Sequence, residues 1–169
     1  MNKKGVDKRK KVIIITGSPG VGKSSLALLL EKKLGFLRLD ISKHYHEISS
    51  GYDRKKQSYD INLKKFERLV REKKKEAGKG LIVDSHIAHL LPKKLVDLCI
   101  VLICSDLKKL EKRLKARNYS KKKIRENLDA EIFQICLVEA KEKGHTLVMF
   151  EGCRPLTQND VAEKIRKSL

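Results

Sequence analysis

A three-layer α/β domain built on a mostly parallel sheet is the fold this sequence predicts, on three observations. Apolar runs of about five residues recur along the chain, and helical patterns alternate with them. The first run passes through a glycine-rich turn straight into a leucine-rich helix. At 169 residues the chain is expected to form one domain, long enough to bury a sizeable core.

The strands come first. Val12–Thr16, Leu81–Asp84, Leu98–Ile103 and Leu147–Phe150 are apolar without alternation, as strands buried on both faces must be, and Phe36–Leu39 is a weaker fifth. Helical patterns occupy Ser24–Leu34, Ile61–Lys75, Leu107–Ala116, Lys122–Lys143 and Asp160–Ser168. Leu26 to Leu30 are expected to anchor the first helix in the core, and Gly35 to end it. Two segments break the rhythm: His44–Tyr59, polar and rich in turn formers, and Arg117–Lys121, a short interruption between two basic helical patterns. In phosphate-binding α/β folds such interruptions at the carboxyl ends of strands cover substrates.

Composition narrows the function classes. No window has the roughly 18 consecutive apolar residues of a membrane span, and the basic arm at residues 1–11 lacks a secretory apolar stretch. The expectation is a soluble, cytoplasmic protein (or nuclear in a eukaryote) with no membrane partner and a disordered arm. Cys99, Cys104, Cys136 and Cys153 have no metal-ligand spacing, so they are expected to be small buried hydrophobes in a reducing compartment. The formal charge of +19 favours polyanionic partners such as nucleotides and RNA. From Lys108 to Arg125 ten basic residues face a single acidic one, which marks an anion-facing patch over a solvated surface of mixed sign.

The most specific motif is GSPGVGKS, Gly17-Ser18-Pro19-Gly20-Val21-Gly22-Lys23-Ser24, between a strand and a helix. It satisfies G-x-x-x-x-G-K-[ST]: the glycines let backbone N–H groups converge on a phosphate, and the helix N-terminus adds its positive end. Lys23 is expected to reach the β- and γ-oxygens, and Ser24, with Ser25 beside it, to face the nucleotide and Mg²⁺. The ligands expected are therefore ATP and Mg²⁺. The chain has no base-reading N-K-x-D of GTPases and is too short for a motor, which favours a small kinase. At the end of the second acidic strand, Asp84 is placed to hold Mg²⁺ through water, or else to cap the segment beyond it. His86 either orients a water or a transferred phosphate, or is a surface histidine, and His89 has no evident partner.

Asp84-Ser85-His86 after a core strand, the N-terminal phosphate loop, and KRLKARNYSKKKIRENLDAEIFQICLVEA together resemble the adenylate kinase isoenzyme 6 family, over roughly residues 12–169. These are adenylate kinase-like ATPases of small-ribosomal-subunit maturation. The resemblance implies a P-loop fold like that of nucleoside monophosphate kinases: a five-stranded parallel sheet, an acceptor-binding insertion at residues 40–62 containing Gly51-Tyr52-Asp53, and a short lid at residues 117–122. It implies catalytic roles for Lys23, Asp84, His86, Arg113 and Arg117, the two arginines lying four apart on one helical face. It also implies that Glu151-Gly152-Cys153-Arg154-Pro155 lines the adenine, with Arg154 and Pro155 at the nucleotide. Tyr119 either stacks on a base or packs the lid.

Three positions depart from the family. Asn118 stands where glycine is frequent, and asparagine tolerates the positive φ required. A basic residue of the insertion is replaced near Lys43–His44, with Arg54 a candidate substitute, and Cys104 stands where an arginine is unsurprising. The activity implied is transfer of the ATP γ-phosphate to AMP with associated ATPase activity, by a monomer that meets a small-subunit ribosomal protein or rRNA. The alternatives are a small kinase for another acceptor, or a nucleotide-regulated module that binds RNA or a ribosomal protein.

Overall fold

Alternation within each strand divides the core in two. A computed structural model describes residues 9–56 and 58–168, so residues 1–8 of the basic arm lie outside the described residues. Along β1 (Lys11–Thr16), Ile13 and Ile15 pack on one face of the sheet while Val12 and Ile14 pack on the other. The same split occurs in β5 (Gly80–Asp84), where Ile82 faces opposite to Leu81 and Val83. In β6 (Leu98–Ile103), Leu98, Ile100 and Leu102 oppose Cys99 and Val101. With β2 (Leu37–Asp40) and β7 (Leu147–Glu151) these strands form a five-stranded parallel sheet in the order β2-β5-β1-β6-β7. A sheet apolar on both faces must be covered on both faces, which makes the three layers.

The helix α1 (Lys23–Leu34) covers the first face with α4 (Leu107–Lys115), the start of α5 (Lys121–Ile132) and α7 (Gln158–Arg166). The opposite face takes α3 (Leu63–Glu76), the short α2 (Tyr45–Ile48) and α6 (Ile135–Glu142). In α1, Leu26, Ala27 and Leu30 are buried, but Leu28 is 45% exposed, because a period of 3.6 turns it away from the sheet. Gly35 ends the helix at φ 64°, its N–H bonded to the Glu31 carbonyl.

The single helix expected over Lys122–Lys143 is two helices. Gln134, at φ 50°, breaks it between α5 and α6. Ile124 packs on one face of the sheet and Leu137 on the other, and between them Glu131 accepts from the Cys104 N–H just past β6, so the chain crosses here over the carboxyl ends of the strands. The polar segment before α3 also has structure: β3 (Ser49–Asp53) and β4 (Ser58–Ile61) make an antiparallel hairpin with Tyr52 opposite Tyr59. Its stability comes from cross-strand aromatic contact, not from a buried face, which is why no apolar period announces it.

Candidate functional site

All five parallel strands end on one side, and the turns that leave them line a cleft of about 1390 Å³. That exceeds the volume of roughly 300–1,000 Å³ usual for one small ligand, and suits two bound side by side.

The phosphate loop forms the floor. Gly17 has φ 134°, and a Cβ there would strike the Leu102 carbonyl of β6, so only glycine allows the loop to leave the strand. The Lys23 ammonium lies back on the carbonyls of Gly17 (2.8 Å) and Ser18 (2.9 Å). Burial lowers this amine to about 8, which an arriving phosphate would reverse by supplying charge. Pro19, Gly20, Gly22, Ser24 and Ser25 also line the cleft, whereas Ser18 and Val21 are buried behind it.

Arg113 and Arg117 both line the cleft but are held differently. Helix α4 ends at Lys115, so Arg117 lies just beyond it, before Asn118 at φ 57°, and lines the cleft. Arg113 is a brace between loops: its guanidinium donates to the Gly20 carbonyl (2.9 Å) and the Gly152 carbonyl (3.4 Å). Ser120 caps α5 through the Lys123 N–H, and the Lys123 ammonium covers the Tyr119 ring at 4.4 Å. Tyr119 packs against the core and still reaches the cleft.

The loop after β7 closes one end of the cleft. Gly152 sits so close to the Val21 carbonyl that any Cβ would collide with it, and Arg154 and Pro155 line the cleft. Here the cysteine expectation is corrected: Cys104 and Cys153 form a disulfide, while Cys99 and Cys136 are free thiols. Sequence spacing hides this pair, because the residues are 49 apart. Strand pairing brings them together: Ile103 lies opposite Glu151, so the residues just past both strand ends meet with Cα atoms 5.2 Å apart. Closing a loop of that length is worth about 4 kcal/mol in the chain-entropy account. Reductant, or Cys153→Ser, should therefore lower the melting temperature of the oxidised protein by about 10 °C. An unchanged calorimetric transition would show that this bond adds nothing to the fold.

Across the cleft, Asp84 ends β5 with its side chain 3% exposed. Arg38, on β2, is a site residue that the sequence did not single out. Its guanidinium donates to Asp84 at 2.6 Å and to Asp40 at 3.2 Å. The parallel register, Asp40 beside Asp84, brings the three together. A lone arginine in an alternating strand carries no sequence signal of this kind. Ser24 and Asp84 both face the cleft with hard oxygen donors, and Arg38 engages one carboxylate oxygen only, so these residues fit Mg²⁺ and its waters.

His86 also lines the cleft, its Nδ1 3.3 Å from the Tyr45 hydroxyl. Burial first, and then the Lys23 charge, lower its imidazole to about 4, so at neutral pH it is a hydrogen-bonding group and not a cation. Tyr45 and Tyr59 stack with centroids 5.4 Å apart, and Tyr52 meets Tyr59 edge-on at 4.9 Å. These rings line one wall of the cleft with Asp40 and Ser42, and Arg54 lies in the hairpin turn, away from the lining. His89, expected to lack a partner, is buried and bonded to Thr16 and Glu139, each at 2.7 Å. Both partners are remote in sequence, which is why the pattern could not show them.

A family model described as an AAA domain matches residues 13–134. The adenylate kinase isoenzyme 6 homolog of Caenorhabditis elegans is 32% identical over 96% of this chain and 87% of its own length. That of Schizosaccharomyces pombe is 37% identical over 82% and 79%, and a putative adenylate kinase of Methanocaldococcus jannaschii 38% over 80% and 75%. Among solved structures, shikimate kinase from Acinetobacter baumannii superposes with a TM-score of 0.58 at 13% identity, covering 95% of this chain and 93% of that one. Deoxyadenosine kinase from M. mycoides gives 0.54 at 15%, over 94% and 100%, and these two likenesses speak for the fold alone. With the P-loop kinase fold, the phosphate loop and the two-sided cleft in place, the extent of these matches makes the conclusion direct: the chain belongs to the adenylate kinase isoenzyme 6 family and is a nucleotide kinase by class.

Proposed function

We propose that this protein transfers the γ-phosphoryl group of ATP to AMP with Mg²⁺, that water competes as acceptor, and that the activity serves maturation of the small ribosomal subunit. The observation that carries the reading is the single cleft joining Lys23 and Arg117 to the tyrosine-lined acceptor wall. ATP would lie with its phosphates on the loop Gly17–Ser24 and its base against Arg154 and Pro155. Lys23 would neutralise β- and γ-oxygens, and Arg117 would stabilise the charge that develops as the phosphoryl group moves. Bound Mg²⁺ would supply further neutralisation of the phosphates. His86, as a neutral imidazole, would orient the acceptor or a water.

One observation favours a substantial share of hydrolysis. Among the described residues, every lysine or arginine that lines the cleft comes from the phosphate loop, the lid region of α4 and α5, or the loop after β7. An AMP phosphate must then rely on Arg117 and Lys123, while water needs no such contact. Outside the cleft, Lys108, Lys112, Lys115, Lys121, Lys122 and Arg125 are exposed on the same basic segment, which supports an RNA or ribosomal-protein partner. We place the protein in the cytoplasm as a monomer.

The test is the appearance of ADP from ATP alone, and with AMP or other acceptors added. The expected result is Mg²⁺-dependent ADP formation that AMP accelerates with two ADP per ATP consumed. ADP formation that AMP only inhibits would leave hydrolysis as the activity. Binding to ribosomal RNA should weaken steeply between about 50 and 200 mM salt while ATP binding does not.

A further inference from the structure

Behind the cleft, a buried polar chain runs from the protein surface to the turn that carries His86. Glu139, on α6 and 44% exposed, meets His89 Nε2 at 2.7 Å. His89 Nδ1 lies 2.7 Å from the Thr16 hydroxyl, and that hydroxyl lies 3.1 Å from the His86 carbonyl. Thr16 is fully buried and His89 is 3% exposed, so water does not compete for these bonds. Thr16 is also the last residue of β1, directly before Gly17 of the phosphate loop.

Proton accounting gives this chain two states. The Thr16 hydroxyl has one proton and three groups within reach, His86 O, His89 Nδ1 and, more weakly, the Cys136 sulfur. An ionised Glu139 requires the proton of neutral His89 to sit on Nε2. Nδ1 is then bare and takes the Thr16 proton, leaving the His86 carbonyl with the Cys136 thiol at 3.8 Å. When Nδ1 is protonated as well, it donates to Thr16, whose own proton is freed for the His86 carbonyl. Both states satisfy the ring, and they differ in what holds the Asp84–His86 turn.

We propose that Glu139, His89 and Thr16 are positioning residues that steer the Thr16 hydroxyl between the His89 ring and the His86 carbonyl, and so set how the Asp84–His86 turn seats against the phosphate loop. The proposal rests on the reading of this cleft as the site of phosphoryl transfer. Groups facing His89 come from three sides. Glu139 and Lys143 lie on and just after α6, His145 donates through Nε2 to the His89 carbonyl at 2.9 Å, and His86 stands across Thr16. Burial lowers the His89 pKa, Glu139 opposes that, and His145 and Lys143 reinforce it. The neutral ring, with Thr16 donating to it, is thus the state at neutral pH, and acidification shifts the hydroxyl to His86.

The experiment compares Thr16→Val, which keeps shape and removes the hydroxyl, with Thr16→Ser, which keeps the hydroxyl, in the full chain. Thr16→Val should lower kcat for ADP formation by about fivefold to tenfold, the worth of one hydrogen bond, with KM for ATP changed less than about twofold. Thr16→Ser should recover most of that loss. Nitrogen-15 NMR of the wild type at about pH 8, above the ordinary histidine range, should show His89 protonated at Nε2 and bare at Nδ1. Acidification should add the second proton together with a phase of amide shifts at Ser85–Ile87 that follows the His89 ring nitrogens, and His89→Gln should abolish that phase while leaving any shift that follows the His86 ring itself. The proposal is overturned if Thr16→Val leaves kcat unchanged, if Thr16→Ser is no better than Thr16→Val, or if His89 carries its single proton on Nδ1. If the wild type makes no ADP at all, the functional reading fails, and the NMR arm still decides whether this chain controls the turn.

Discussion

Lys23→Ala should lose ATP turnover by a factor on the order of 10³ or more while keeping its fold. The ammonium reaches only the Gly17 and Ser18 carbonyls in the free protein, so its removal costs little stability. With ATP bound as we propose, the same group would bring positive charge to the phosphates on the loop floor. Its loss removes stabilisation at the point where negative charge concentrates during transfer, in a site where low dielectric magnifies each charge. The check is ADP release at saturating ATP, with circular dichroism and calorimetric ATP binding on the same preparation. Turnover within about tenfold of the parent would mean that the loop does not bind the reacting phosphates.

The second large effect concerns the Asp84 carboxylate, which pairs with Arg38 and which we propose also holds Mg²⁺ and its waters. Asp84 is 3% exposed and paired at 2.6 Å with Arg38, itself only 14% exposed. Removing one partner of a buried pair strands the other charge and costs about 3 kcal/mol or more. Asp84→Asn should therefore lose both stability in urea unfolding and, by about 10² or more, Mg²⁺-dependent turnover. Adding Arg38→Met removes the stranded charge, leaving Asp40 to its hydrogen bonds with Ser42. The double variant should regain most of the stability and none of the turnover. Turnover that returned with stability would assign Asp84 to the fold alone and leave the metal to other oxygens.

What was legible in the sequence was local. Four of the strands could be read because a strand covered on both faces is apolar along its run, whereas β2, with Arg38 and Asp40, gave only a weak run; all five boundaries fall within a residue of those runs. The phosphate loop could be read because its chemistry needs contiguous residues at fixed spacing, from Gly17 to Ser24. Gly35 and Asn118 adopt the positive φ that their residue types allow. Everything that depended on two distant stretches meeting was decided by tertiary structure. Arg38 reaches Asp84 because β2 lies beside β5, and Cys104 meets Cys153 because β6 lies beside β7. His89 acquired Thr16 and Glu139 in the same way, and the α5–α6 break arose because one helical pattern had to serve both faces of the sheet. Local pattern reports which residues prefer burial or a turn; pairing of strands and passage over their carboxyl ends fix which of them touch, and that information is spread over the whole chain.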